Sequence, residues 1–215
     1  MNAADPHAGG PMLRDGAELA KARAAVVLLH GRGADARDIL AFSRHLATDG
    51  VAFLAPEATG HAWYPQRFLA PIPANEPWLS SALSRLEAVE REIAAAGVAD
   101  DRIVWFGFSQ GACLATEFVA RHARRWGGLV AATGGRIGPP GTDFAAPGDL
   151  AGTPVYLGSG DPDPHVPWSR VEESAAAFTA QGAAVTIRRY PGFPHSVHPE
   201  AVDFARRLLA GIAAT

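Results

Sequence analysis

Apolar runs of three to six residues alternate along the chain with longer segments that are apolar every third or fourth position. Ala24–Leu29, Val51–Ala55, Ile103–Gly107, Leu129–Ala132, Val155–Leu157 and Val185–Tyr190 are the short runs. Most are continuously apolar rather than alternating, the pattern of strands buried on both faces of a parallel sheet. Val185–Tyr190 is more polar, which predicts a place at the sheet edge. Between them, Asp35–Thr48, Trp78–Ala96, Gln110–Arg124, Trp168–Gln181 and Pro199–Ile212 read as helices. In the second, Leu79, Leu83, Leu86, Val89 and Ile93 recur at spacings of three and four, which builds one apolar face. Strands alternating with helices predict an α/β fold, a mostly parallel sheet with helices on both faces. Residues 1–20 read as an N-terminal arm with room for one short strand, and 21–215 as a single domain.

Two connections are longer than the fold needs. Pro56–Pro77 carries Trp63, Tyr64, Phe68 and five prolines, and Gly134–Gly152 is rich in Gly and Pro. Long loops in a compact domain are often functional. The second is too short for a helical cap domain, so an open cleft is expected. Trp63, Tyr64 and Phe68 are its expected substrate-facing wall, since aromatics bury large area at low entropic cost.

Composition narrows the class. At 215 residues, 48% hydrophobic and 19% charged, the chain has material for one folded domain. A formal net charge of -3 gives no reason to expect nucleic-acid binding. Lys21 is the only lysine, so the basic residues are nearly all Arg. Cys113 is the only cysteine, so no internal disulfide forms. Neither a secretory leader nor a membrane-spanning run is visible. The expected setting is the cytoplasm, with no cofactor and no metal.

The chemistry centres on "WFGFSQGACL", residues 105–114. Ser109 stands in Gly-x-Ser-x-Gly between a predicted strand and a predicted helix, the context of a nucleophile elbow. A serine hydroxyl needs a base, and the partners follow in the order Ser, Asp/Glu, His. "GSGDPDPHVP" offers Asp161 and Asp163 after one strand; "YPGFPHSVHP" offers His195 and His198 after the last. "VVLLHGRGA" ends a strand at His30 and turns through Gly31-Arg32-Gly33. The N–H of Arg32 and that of Gln110 are the expected oxyanion donors. His30 precedes Ser109 and reads as a brace for this turn. A metal site at His165, His195 and His198 is the rival, but Pro194 and Pro199 disfavour a helix carrying both later histidines. Cys113, one helical turn past Ser109, reads as a small buried hydrophobe.

Together, Leu29-His30-Gly31-Arg32-Gly33, Gly107-Phe108-Ser109-Gln110-Gly111-Ala112, Asp163-Pro164-His165-Val166-Pro167 and His195-Ser196 resemble the phospholipase/carboxylesterase family of α/β-hydrolases. The resemblance implies a cap-less α/β-hydrolase fold and hydrolysis of carboxylic esters or thioesters. It places the nucleophile on Ser109, the acid on Asp163, the base on His195 and the oxyanion donors on Arg32 and Gln110. Arg32 stands where the thioesterase branch has an apolar residue, and Ala34 where it often has Asp. Both departures favour simple ester hydrolysis over protein deacylation, and the charge of Arg32 disfavours a long buried acyl chain, so short-to-medium acyl esters are expected over acyl-proteins or lysophospholipids. The implied partner is a small-molecule ester, and a homodimer stays open. A non-catalytic binding module on a hydrolase scaffold is the non-enzyme alternative.

Overall fold

The computed structural model describes residues 5–46 and 49–213. Among these residues seven strands form one sheet: β1 (Met12–Gly16), β2 (Ala24–Leu29), β3 (Val51–Pro56), β4 (Ile103–Phe108), β5 (Gly128–Ala132), β6 (Pro154–Asp161) and β7 (Ala184–Pro191). Their spatial order is β1-β3-β2-β4-β5-β6-β7. Strand β1, which lies within the segment read as an arm, pairs antiparallel with β3, and all other pairs are parallel. The more polar β7 is at the opposite edge.

Among the described residues six α-helices cover the sheet: α1 (Ala36–Leu40), α2 (Ser43–Leu46), α3 (Trp78–Ala95), α4 (Gln110–Arg121), α5 (Trp168–Ala180) and α6 (Pro199–Ala213). The continuous apolar strands divide their side chains between two cores. Ala25, Val27 and Leu29 of β2 join the core under α3, α4 and α5, while Ala24, Val26 and Leu28 join the core under α1 and α6. The predicted face of α3 is the buried one, from Leu79 to Ile93.

The helix expected over Asp35–Thr48 is broken. Asp35 caps α1 in a capping box with Asp38. After Leu40 the chain turns at Ala41 and Phe42 before α2 begins. Ser43 Oγ there donates to Asp15 Oδ2 on β1 at 2.5 Å, and the Phe42 ring packs against Phe106 at 6.0 Å. These contacts set the turn, which a helical periodicity does not encode. Ala47 and Thr48 lie outside the described residues. Helix α4 also stops short of Arg124, because His122 leaves helical geometry and its carbonyl accepts from the Trp126 indole N–H.

Between β2 and β4 the connection order reverses: the chain passes from β2 outward to β3, then crosses back over β2 to β4. Crevices at the carboxyl ends of such strands are the usual ligand sites of α/β sheets. Here the Gly31–Gly33 turn follows β2, Ser109 follows β4, and the loops bearing Asp163 and His195 follow β6 and β7. No helix is inserted between β5 and β6, and no helix is long and apolar enough to cross a membrane, among the described residues.

Candidate active site

Ser109 sits at φ 53°, ψ -118°, in the left-handed half of backbone space that side chains avoid. Such strain of about 1–3 kcal/mol persists only where the surroundings impose it. Here the two motif glycines allow it. A Cβ on Gly107 would lie 2.4 Å from the Gly111 carbonyl oxygen, and one on Gly111 would lie 2.2 Å from that of Leu29. The elbow closes only because both side chains are missing. The turn is anchored by the Ser109 N–H, which donates to Ala132 O at 3.0 Å, and by Cys113 N–H, which donates back to Ser109 O at 3.0 Å.

The Ser109 hydroxyl meets the His195 ring, with Oγ 2.8 Å from Nε2. On the ring's far side Nδ1 lies 2.8 Å from Asp163 Oδ2. With its proton on Nδ1 the ring donates to Asp163, and Nε2 then accepts from the Ser109 hydroxyl. The Asp163 side chain is 0% exposed and that of His195 19%. Burial pushes the Asp163 carboxyl up. The N–H groups of His165 and Val166, each 2.8 Å from Oδ1, together with His195, outweigh that and hold it below the ordinary carboxylate range. Asp161 is turned away and pairs with Arg189. The loop that carries His195 is pinned by Thr133 Oγ1, which donates to Ser196 O at 3.1 Å, and by stacking of His198 on Tyr190 at 3.5 Å. His198 therefore braces the loop and does not reach Ser109.

The Gly31–Gly33 turn packs against the elbow, since a Cβ on Gly31 would lie 3.4 Å from that of Ser109. Among the described residues the backbone N–H groups of Arg32 and Gln110 have no acceptor. His30 is fully buried under this turn. Its Nδ1–H donates to Gly31 O at 2.8 Å and its Nε2 accepts from Ala58 N–H at 3.1 Å. Burial holds its pKa below the ordinary value of 6.5.

A cavity of about 310 Å³ opens beside Ser109 and His195. Tyr64 and Phe68 line it, with Arg32, Phe108 and Val166. Trp63 does not, which corrects the expected aromatic wall. Its indole is 0% exposed and donates Nε1–H to His30 O at 3.0 Å, a pairing that only the packed turn makes available. The Phe108 ring, 5.2 Å from that of His195, was not singled out from sequence, although its place next to Ser109 in the elbow pointed there. Arg67 and His165 also border the cavity; His165 lies within the Asp163–Pro167 motif, whereas no motif marks Arg67. Cys113 lies on the cavity floor, 1% exposed, with its thiol pushed up to about 12 by burial.

The side chains of Arg32 and Gln110 have a separate task. The Arg32 guanidinium donates to the carbonyls of Tyr64, Pro65 and Gln66 at 2.7, 2.9 and 2.6 Å. Gln110 accepts from Trp63 N–H at 2.9 Å and donates to Tyr64 O at 2.8 Å. Both tie the aromatic loop over the elbow. Neither bond was legible in the sequence, because each joins residues more than 30 positions apart.

The same arrangement of elements recurs in known proteins. Residues 17–212 match the family model described as Phospholipase/Carboxylesterase. A phospholipase/carboxylesterase from Dyadobacter fermentans superposes with a TM-score of 0.89 at 41% identity, over 94% of this chain and 97% of that one. Acyl-protein thioesterase 1 of Eremothecium gossypii is 26% identical over 220 residues, 90% of this chain and 89% of that protein. Acyl-protein thioesterase 1 of Gibberella zeae is 32% identical over 109 residues, a match that spans 50% of this chain and only 46% of that protein. The chain thus belongs to the phospholipase/carboxylesterase family, with the α/β-hydrolase fold of serine hydrolases that act on carboxylic ester bonds.

Proposed function

We propose that the protein is a serine carboxylesterase for short-to-medium acyl esters, with Ser109 as nucleophile, His195 as base and Asp163 as its orienting acid. The observation that carries the reading is the His195 ring, bonded at 2.8 Å to Ser109 Oγ on one side and at 2.8 Å to Asp163 Oδ2 on the other. As Oγ attacks the ester carbonyl carbon, its proton passes to His195 Nε2. The π electrons move onto the carbonyl oxygen, which accepts from the N–H groups of Arg32 and Gln110. Collapse expels the alcohol with the proton from His195 and leaves an acyl-Ser109. Water, deprotonated by His195, then releases the acid and restores the hydroxyl. Asp163 stays ionised throughout and stabilises the imidazolium.

The lining of the cleft supports a small substrate. The arginines that line the cleft support this reading, because a charged guanidinium disfavours a long apolar chain buried beside it. Each methylene that does fit contributes about 0.8 kcal/mol. The thioesterase relatives motivate a second reading, an acyl-protein thioesterase or lysophospholipase. One experiment separates the two: kcat/KM over p-nitrophenyl esters from acetate to palmitate, below micelle-forming concentrations. The optimum is expected at short-to-medium chains, and a value that climbs to the longest chain supports the second reading instead. In the same assay Ser109→Ala should lower kcat by about 10⁴ or more. A variant that keeps near-normal activity overturns the assignment of Ser109.

A further inference from the structure

The cavity beside Ser109 is lined by two arginines and two histidines, and by no Asp or Glu. Arg32 spends its guanidinium on the three carbonyls of the aromatic loop. Arg67 does not. Its side chain is exposed, and the guanidinium's one hydrogen bond among the described residues is a long one, Nη2 to His165 O at 3.5 Å. No carboxylate pairs with it there. The nearby acids are committed elsewhere. Asp163 accepts from His195 and from two backbone N–H groups, and Asp35 caps α1. The guanidinium lines the same cavity as the reacting groups, and the His165 ring beside it meets that of His195 edge-on at 4.7 Å.

A cation with unspent donors, held at the mouth of a cleft without acids, matches an anionic oxygen group on the ligand. A guanidinium presents its N–H groups in a planar fork that fits carboxylate or phosphate with two parallel bonds. We infer that Arg67 is a specificity residue that selects esters carrying a carboxylate or phosphate close to the scissile bond. The inference rests on the esterase reading above and narrows its substrate class. Arg67 lines the same cavity as Ser109 and His195, which places the anion near the ester carbonyl, on the acyl or the alcohol side.

The test compares two matched pairs by titrating the acid released at constant pH. Monomethyl adipate against methyl hexanoate places the charge on the acyl side, and 2-butyryloxyethyl phosphate against butyl butyrate places it on the alcohol side. At low salt the wild-type protein should prefer the charged member of at least one pair by about tenfold in kcat/KM, the scale of one charge-assisted hydrogen bond. The responding pair identifies the side. Arg67→Gln should bring that ratio close to one, and Arg67→Glu should reverse it. Half-molar NaCl should shrink the wild-type ratio by screening an exposed pair. The inference is overturned by a wild-type ratio at or below one in both pairs, or by a ratio that survives Arg67→Gln. An equal fall of both esters in Arg67→Gln, with the ratio intact, would make Arg67 a clamp on the His165 carbonyl only and would also overturn it. Absence of hydrolysis of all four esters by the wild-type protein would overturn the esterase reading, and this inference with it.

Discussion

At the scale of single residues, the choice between two aspartates two positions apart decides whether the His195 ring is held. Asp163 reaches Nδ1, whereas Asp161 is paired with Arg189 across to β7. Asn at 163 could present its amide NH₂ to the ring and favour the wrong tautomer. Asp163→Asn is expected to lower kcat by about 10⁴ with little change in fold, by analogy with other triads. Asp161→Asn should leave most activity. Steady-state rates on one p-nitrophenyl ester check both, and the reverse ranking would move the acid to Asp161. The motif around Ser109 shows the limit of a one-residue reading. Gly-x-Ser-x-Gly was visible as a pattern, but the need for glycine at 111 lies in the Leu29 carbonyl, 82 positions away in sequence and, on any added Cβ, 2.2 Å away.

At the scale of elements, the site depends on loops that are held by buried charge. Glu117 is on α4, where the sequence predicts only a helix face, and it is 3% exposed. Its Oε2 accepts from Arg136 Nε at 3.0 Å and from Ile137 N–H at 3.3 Å, and its Oε1 accepts from Arg121 at 2.7 Å. Burial pushes the Glu117 carboxyl up, but Arg136 and Arg121 prevail and hold it below its ordinary range. Arg170 continues the anchor, with Nη1 donating to the Arg136 and Gly138 carbonyls at 2.9 and 2.7 Å. The Gly134–Gly152 loop is thus clamped at its start, and Gly138 N–H extends the clamp to Phe68 O in the aromatic loop at 2.8 Å. Removing one partner of a buried pair strands the other charge and costs about 3–5 kcal/mol. Glu117→Leu should lower the unfolding free energy by an amount of that order, as measured by urea titration. A loss under about 1 kcal/mol would mean that the pair contributes little beyond packing.

At the scale of the whole molecule, the titration of buried groups sets how stability depends on pH. His30 and His7 are both 0% exposed, and both ring nitrogens of each are engaged in the neutral form. His7 Nε2–H donates to Trp63 O at 2.9 Å while Nδ1 accepts from Thr59 N–H at 3.1 Å. A second ring proton would point at a backbone N–H in either case. Burial lowers the pKa of both from 6.5. The unfolded chain therefore takes up protons near pH 6.5 that the folded chain refuses, and stability falls as pH drops below that value. The depressed carboxyls of Asp163 and Glu117 act in the same direction at lower pH. Their contribution is complete above the ordinary values of 3.8 and 4.5 and is lost as pH falls through their folded values. Tm should decline already between pH 7 and pH 5, well before the carboxylate range. A Tm that is flat over that interval would mean that His7 and His30 accept protons without cost.

What the sequence by itself determined is the order of elements and the class of the fold. Continuous apolar runs such as Ala24–Leu29 place strands in a covered parallel sheet, and the stripe from Leu79 to Ile93 orients a helix, because both patterns arise from local backbone periods of two and 3.6 residues. The elbow at Ser109 belongs to the same class of signal, five adjacent residues in one turn. The tertiary structure decided everything that joins distant segments. It broke the helix after Leu40 by bonding Ser43 to Asp15, and it turned Trp63 away from the cleft by offering its indole the His30 carbonyl. It gave His195 the carboxylate of Asp163, and it set Arg67 beside His165, 98 positions away. Side-chain bonds of this kind depend on where the sheet brings strand ends together, and no local period along the chain records that.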